Sequence, residues 1–283
     1  MPDPIAIVTD STSSLPADLV EQHDVRVVPL QVVVGSECLT EGVDLGAADV
    51  AAALEAHESV STSRPAPEVF ARTYAELADA GASQILSVHL SSEVSGTFES
   101  AQMAARRATV PVHCVDSRQV GMGTGFAVTQ AAELLSAGAP VEKAIAAAKT
   151  RGDSTATYFY VDTLEYLRRG GRVSMVGALV GSALAVKPLL TIDDGRIGPL
   201  EKVRTSARAI NRLQELAVAF ARASGGEFDV AVQHLAADER AEQVADALGD
   251  ALALDDVRVL EVGAAIGAHV GPGMVAVVVA PRL

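Results

Sequence analysis

The chain is 283 residues long, room for two domains of ordinary size, and 49% of its residues are apolar, enough to bury a substantial core. Its net charge of −14, from 36 acidic and 22 basic residues with no long Lys/Arg run, argues against nucleic acid and against an anionic membrane surface as partners. Two Cys with no CxxC pair and six His with neither HxxxH nor HxH spacing offer no disulfide framework and no zinc site.

The N-terminal MPDPIAIVTD has no basic region followed by a long apolar run, and the longest apolar stretch, 175–186, is short of the roughly 20 residues that span a bilayer. A cytoplasmic location is expected. The first strand is predicted at 5–9. After it, Asp10-Ser11-Thr12-Ser13-Ser14 precedes a helix opened by Pro16. Its carboxylate and hydroxyls suit either a polar ligand or loop bracing, with Ser13 or Ser14 capping the helix.

The β-branched run 25–34 predicts one strand. In Ser61-Thr62-Ser63-Arg64-Pro65-Ala66-Pro67 the prolines hold their preceding residues extended. That either presents the Thr62 and Ser63 hydroxyls in a fixed direction or makes a rigid linker. A helix over 68–80 and a strand over 84–90 follow. Then comes Ser91-Ser92-Glu93-Val94-Ser95-Gly96-Thr97, leading into a helix predicted over 95–107. Unpaired N–H groups at a helix start favour an anion, and Gly96 removes a side chain that would block close approach. N-capping by Ser95 is the plainer alternative.

A strand at 111–116 ends in Asp116-Ser117-Arg118, which reads as structural. The GMGTG at 121–125 lacks the spacing of a dinucleotide fingerprint, and no phosphate-loop motif occurs. Helices over 125–137 and 141–151 lead to the polar turn 150–155. This turn divides an N-terminal α/β domain, 1–152, from a C-terminal one, 153–283. The second half has strands at 155–161, 229–235, 257–262 and 274–280, with helices over 205–223 and 238–248. Arg168-Arg169-Gly170-Gly171-Arg172 offers forked donors on a freely shaped turn, or simply solvated arginines. The apolar stretch 175–190 suits either core or a greasy pocket, and Lys187, Lys202 and Arg204 add positive charge. His269, held between a strand end and the Gly-rich turn before the last strand, is expected to face a site, where it could donate to a carboxylate or titrate near neutral pH, with a hydrogen-bonded structural histidine as the alternative.

Strands alternating with Ala-rich amphipathic segments predict an α/β protein: two domains with mainly parallel sheets flanked by helices, and ligands beyond the carboxyl ends of the strands.

Seven short stretches, in order and spanning nearly the whole chain, resemble the DegV family of bacterial fatty-acid-binding proteins. They are DSTSSL (10–15), TSRPAP (62–67), SSEVSGT (91–97), LRRGGRVS (167–174), AVKPLL (185–190), KVRT (202–205) and HVGPG (269–273). Arg64 and Ala66 stand where the family loop commonly has Gln and Ser, and the loop around Arg118 lacks some of the usual small polar residues. The resemblance implies a long-chain fatty acid buried between two α/β domains, and a partner kinase subunit that uses ATP to convert it to an acyl phosphate for phospholipid synthesis. It implies no catalytic residue, metal or cofactor in this chain. Thr62, Ser63, Ser95, Gly96, Thr97 and His269 would hold the carboxylate. Arg172 and Arg204 would face the kinase, and Asp10 and Ser11 would support the site. Two rival readings are a sensor for another small anion and a hydrolase using Ser95, His269 and Asp10. The second lacks a GxSxG elbow.

Overall fold

The computed structural model describes residues 4–172 and 187–282. Four strands, β1 (Ile5–Asp10), β2 (Val25–Val28), β6 (Gln84–His89) and β7 (Val112–Asp116), form a parallel sheet in the order β2-β1-β6-β7. Helices α3 (Pro67–Asp79) and α4 (Thr97–Ala105) cover one face, packing Phe70, Tyr74, Ala101 and Ala104 on Val8, Val28 and Ile85. Helices α5 (Met122–Ser136) and α6 (Val141–Ser154) cover the other, with Ala127, Val128, Ala131, Ala144 and Ala148 against Ile7, Leu86, Val88 and Val115. Small residues on these helices allow close approach to the β-branched sheet, and the segment after β1 carries the short helix α1 (Ala17–Gln22).

The run read as one strand over 25–34 is two. Pro29 has no N–H to give to a ladder, so pairing stops there and the chain leaves the parallel sheet. Strand β3 (Gln31–Val34) then joins β4 (Glu37–Thr40) and β5 (Val60–Ser63) in a small antiparallel sheet, with α2 (Ala47–Glu55) in the connection. Thr62 is therefore held in a strand, opposite Val32, and not in a linker.

The second large sheet has six strands in the order β10-β9-β8-β13-β11-β12: β8 (Ala156–Tyr160), β9 (Lys187–Asp193), β10 (Arg196–Val203), β11 (Phe228–His234), β12 (Arg258–Glu261) and β13 (Val275–Pro281). The α/β class stands, with one fully parallel sheet. In this second sheet, however, only β11–β12 is parallel. The reason is local: β9 and β10 are joined by Asp194-Gly195, both at positive φ (50° and 79°), a tight hairpin that no crossover helix can replace. Strand β13 looked parallel because it is apolar throughout, yet burial on both faces gives the same signature to a central antiparallel strand.

Helices α8 (Ser206–Ala223) and α9 (Asp238–Leu252) cover one face of this sheet through Ala209, Leu213, Ala217, Val244 and Leu248. The opposite face turns toward the parallel sheet. Part of it meets α5, whose Met122 and Phe126 pack on Ala231, Val278 and Ala280. The rest is roofed by α7 (Glu165–Arg169) and α10 (Ala264–Val270), through Leu167 and Val270 among others.

Buried Arg151 of α6 fastens the two halves. It pairs with Asp229, donates to the Pro281 carbonyl and lies 5.7 Å from the centre of the Phe126 ring. Burial lowers its pKa, and the Asp229 charge counters that. Close by, a Cβ at Gly152 would overlap the Ser117 carbonyl oxygen. Ala is the better helix former by about 1 kcal/mol, but here the obstacle is backbone and cannot swing away. Gly152→Ala is therefore expected to destabilise the fold by about 1–3 kcal/mol, read as a lower urea midpoint at unchanged slope.

Candidate functional site

All four strands of the parallel sheet send their carboxyl-end loops to one cavity: Thr12 after β1, Leu30 after β2, Leu90, Val94 and Ser95 after β6, and Val120 and Gly121 after β7. The six-stranded sheet supplies the facing wall, including Phe159, Ile192, Gln233 and Ala276, and α10 closes it with Ala265, Ile266, His269 and Val270. The lining is mostly apolar. Thr62, Ser95, Arg172 and His269 bring polar side chains to it.

His269 sits in the last turn of α10, a short helix that the sequence reading did not place. Its Nε2 is 2.7 Å from Thr62 Oγ1. Its Nδ1 has no hydrogen-bond partner among the described residues and faces Gly170, where a Cβ would overlap it. An unpaired buried acceptor is commoner than an unpaired buried N–H, which favours the tautomer protonated at Nε2. Nε2–H then donates to Thr62 Oγ1, and the Thr62 hydroxyl hydrogen is left for a ligand oxygen. Burial, assisted by the nearby Arg172 charge, pushes the His269 pKa down to about 4. The imidazole is therefore neutral near pH 7, contrary to the expectation that it titrates there.

Arg172 is the one cation lining the cavity among the described residues. It donates through Nε to Val94 O (3.2 Å) and through a terminal nitrogen to Gly170 O (2.5 Å), and no carboxylate among the described residues pairs with it. Burial lowers its pKa. Arg172, Val94 and Ile197 also line an adjoining cleft with Glu93 and Arg196, so the guanidinium stands between the cavity and a more polar opening.

The remaining predicted residues lie outside the lining. Ser95 Oγ is 2.9 Å from Thr97 Oγ1, and Thr97, fully buried, begins α4, two residues later than read from sequence. The space left by Gly96 is taken by Arg64, which donates to Gly96 O (3.2 Å). Ser63 is exposed and bonds its neighbour's carbonyl, and Arg204 is exposed just before α8. Val173 and Ser174 of the GGR stretch, and 175–186 of the apolar stretch, lie outside the described residues.

The Asp10 loop braces. Ser13 and Ser14 do not cap α1, whose N-cap is Pro16 with no side-chain hydrogen bond, and the Asp10 carboxylate accepts from Thr12 N (3.1 Å), Leu90 N (3.2 Å) and His89 Nδ1 (2.9 Å). His89 Nε2 continues to Ser87 Oγ (2.7 Å) and thence to the Tyr74 hydroxyl (2.9 Å). This Asp–His–Ser chain has the order of a hydrolase relay, but all three members are fully buried and none lines the cavity. Ser95, His269 and Asp10 make separate hydrogen bonds and do not form a relay.

Sequence reasoning missed Glu41. Ser11 Oγ accepts from Leu30 N (2.9 Å) and donates to the Glu41 carboxylate, whose other oxygen accepts from Ala265 N (2.8 Å). Glu41 thus caps α10, the helix that carries His269. Burial raises its pKa, against the lowering effect of the Ser11 and Ala265 bonds. No motif marks it, because its partner is 224 residues away. No group of His, Cys, Asp and Glu among the described residues could hold a metal ion, and no described helix is long and apolar enough to cross a membrane.

A family model described as an uncharacterised protein of the DegV family matches residues 4–282. The chain belongs to the DegV family. A DegV domain-containing protein of Streptomyces coelicolor is 53% identical over 279 residues, covering 98% of this chain and 99% of its own. Two solved DegV structures superpose along almost the whole length. The Bacillus subtilis DegV, described as a fatty acid binding protein, has a TM-score of 0.91 at 34% identity and covers 99% of this chain and 100% of its own. A Thermus thermophilus family member, described by its fatty acid binding, has a TM-score of 0.89 at 31% identity with 98% and 99% coverage.

The depressed His269 pKa carries a stability signature. Between about 4 and the unfolded value of 6.5 the unfolded chain binds the extra proton, so this contribution is complete above pH 6.5 and lost as pH falls through about 4. His269→Gln should flatten the stability-versus-pH curve in that window by about 2 kcal/mol, measured as the difference from wild type in urea unfolding at pH 4.5 and 7.

Proposed function

We propose that this DegV protein binds a long-chain fatty acid, burying the tail in the cavity with the carboxylate at Thr62, Ser95 and Arg172, and with His269 orienting the Thr62 hydroxyl. The observation that carries this reading is the distribution of polarity: a largely apolar cavity with hydroxyls, a neutral imidazole and one guanidinium together on its lining. A tail gains about 0.8 kcal/mol for each CH₂ removed from water, so the walls supply affinity and the polar groups need only orient the head. The described folds and ligands of the Bacillus and Thermus relatives support the same assignment. In this reading residues 1–152 and 153–283 act as two domains, with Ser63, Gly96 and Thr97 shaping the carboxylate loops and Asp10 and Ser11 bracing them.

The bound acid is then presented to a separate kinase subunit. A carboxylate oxygen attacks the γ-phosphorus of ATP, the bond to the β-phosphate oxygen breaks, and acyl phosphate and ADP leave. Donation from neutral Thr62 and Ser95 hydroxyls keeps negative charge on the attacking oxygen, which a protonated His269 would withdraw. Arg172, between cavity and outer cleft, and the exposed Arg204 would face the kinase and the incoming phosphate.

Protein purified from cells should yield a stoichiometric long-chain acid in mass spectrometry of an organic extract, and its absence would sink the reading. Thr62→Ala and Ser95→Ala should each weaken acid retention roughly tenfold, as expected for loss of one hydrogen bond to a charged group. Arg204→Ala should slow phosphorylation in a reconstituted kinase assay with the lipid affinity of wild type. If it abolished lipid binding, the division between ligand site and partner site would be wrong.

A further inference from the structure

Two neighbouring glycines follow α7, and the backbone requires only one of them. Gly171 is at φ +72°, where a side chain is strained. Gly170 is at φ −70° and ψ −12°, ordinary values that alanine adopts freely. What Gly170 supplies is space. A Cβ there would overlap His269 Nδ1 and Cε1, so the imidazole occupies the volume that an alanine methyl would fill. Seated against this backbone, Nδ1 has essentially no accessible surface and no hydrogen-bond partner among the described residues.

That seat has a chemical consequence. A proton on Nδ1 would find no acceptor, and no ligand in the cavity reaches it, so the ring keeps its proton on Nε2. Nε2 stands 2.7 Å from Thr62 Oγ1 and donates to it, which leaves Thr62 its own hydrogen to give. A second hydroxyl is set in the same sense. Thr97 is fully buried, and Ser95 Oγ, at 2.9 Å, is the one hydrogen-bond partner of its hydroxyl among the described residues. The buried Thr97 proton goes to Ser95, and the Ser95 proton is left free. The Gly170 carbonyl meanwhile accepts from Arg172, the third polar group of the lining.

We infer that Gly170 is a positioning residue for the head group: by admitting the His269 ring against its backbone it fixes the ring's tautomer, and through that tautomer it makes Thr62 a donor toward the ligand. The inference rests on the fatty-acid reading above. Thr62, Ser95 and Arg172 then all present hydrogens, which suits an ionised carboxylate, an acceptor only. A hydroxyl head brings a hydrogen of its own and gains less from them. Alanine at 170 keeps the backbone but pushes the ring off its seat, so Nε2 no longer holds the Thr62 hydroxyl in one direction.

The test combines nitrogen NMR with binding of hexadecanoic acid and 1-hexadecanol to the full chain stripped of endogenous lipid. At pH 7 the imidazole nitrogen shifts of wild-type His269 should show a protonated Nε2 and an unprotonated Nδ1, and in Gly170→Ala that pattern should be lost. Gly170→Ala should bind hexadecanoic acid about tenfold more weakly than wild type, with less than twofold change for 1-hexadecanol, which shares the tail. Because both substitutions act on one hydroxyl, adding Gly170→Ala to Thr62→Ala should weaken acid binding by less than a further twofold. The inference is overturned if wild-type His269 carries its proton on Nδ1, a result that requires no variant to fold. It is overturned too if folded Gly170→Ala loses acid and alcohol equally, or if the two losses multiply, since either marks a purely structural glycine. Failure of the wild type to bind hexadecanoic acid at all would overturn the fatty-acid reading and this inference with it, whereas loss of the Gly170 effect alone leaves that reading standing.

Discussion

One face of the six-stranded sheet is largely apolar, with Thr157 and Gln233 as polar exceptions, and a single helix cannot cover it. The structure divides the task. Helix α5 lies between the two sheets and spends its own apolar surface on both, Ala127, Val128 and Ala131 on one side and Met122 and Phe126 on the other. Where α5 begins, at Gly121, the layer it fills ends. Beyond that point the sheet presents Phe159, Ile192 and Ala276 to the cavity, roofed among the described residues by α7 and α10 with a contribution from α2. The cavity is the unfilled continuation of the inter-sheet layer. It opens at the carboxyl edge of the parallel sheet because α5 follows β7 and can start only there.

The electrostatics follow from the same burial. A site enclosed by apolar walls penalises charge, so the histidine placed in it is held neutral, and the cation that lines it reaches it from the edge. Arg172 is half-buried and bonded to two backbone carbonyls, Val94 O and Gly170 O, which fix its direction while leaving its charge unneutralised by any described carboxylate. Other arginines nearby are already paired: Arg196 with Glu93, and Arg118 with Asp194 and Asp153. Those pairs join the tip of the β9–β10 hairpin to the loops after β6 and β7. Ser91 adds a bond to Gly195 O at 2.7 Å. The hairpin, whose Ile192 and Ile197 line the cavity, is thus fastened to the parallel sheet's loops.

Much of this was legible in the sequence because it is local. The strand-then-hydroxyl-loop rhythm pointed to the carboxyl ends of β1 and β6, and short motifs at Thr62, Ser95, Arg172 and His269 marked four residues that now share one cavity. What could not be read depends on contacts across the chain. Asp10 could be read either as a ligand residue or as a brace, because a carboxylate beside four hydroxyls suits both, and only its bonds to His89 and Leu90, 79 and 80 residues away, decide for the brace. Gly96 looked like a cradle, but its space belongs to Arg64, 32 residues earlier. Antiparallel pairing in the second sheet was hidden because burial on both faces erases the alternation that distinguishes it. Pro29, by contrast, was in plain view, and its missing N–H was sufficient to divide the run it interrupts.

The bracing residues explain why so few groups at the polar end can be enough. Thr62 is fixed by strand pairing to Val32, and His269 by a helix whose first turn is capped from a different part of the chain. Ser11 links these supports, accepting from Leu30 N beside β3 and donating to Glu41, which in turn holds Ala265 N. One hydroxyl after β1 therefore sets the small sheet and α10 in register with the parallel sheet. The Thr62–His269 contact, made across 207 residues of sequence, inherits its 2.7 Å geometry from that linkage. Apart from Thr12, which lines the cavity itself, the loop richest in hydroxyls acts on the site through position, and Thr62 and Ser95 stand on segments it aligns.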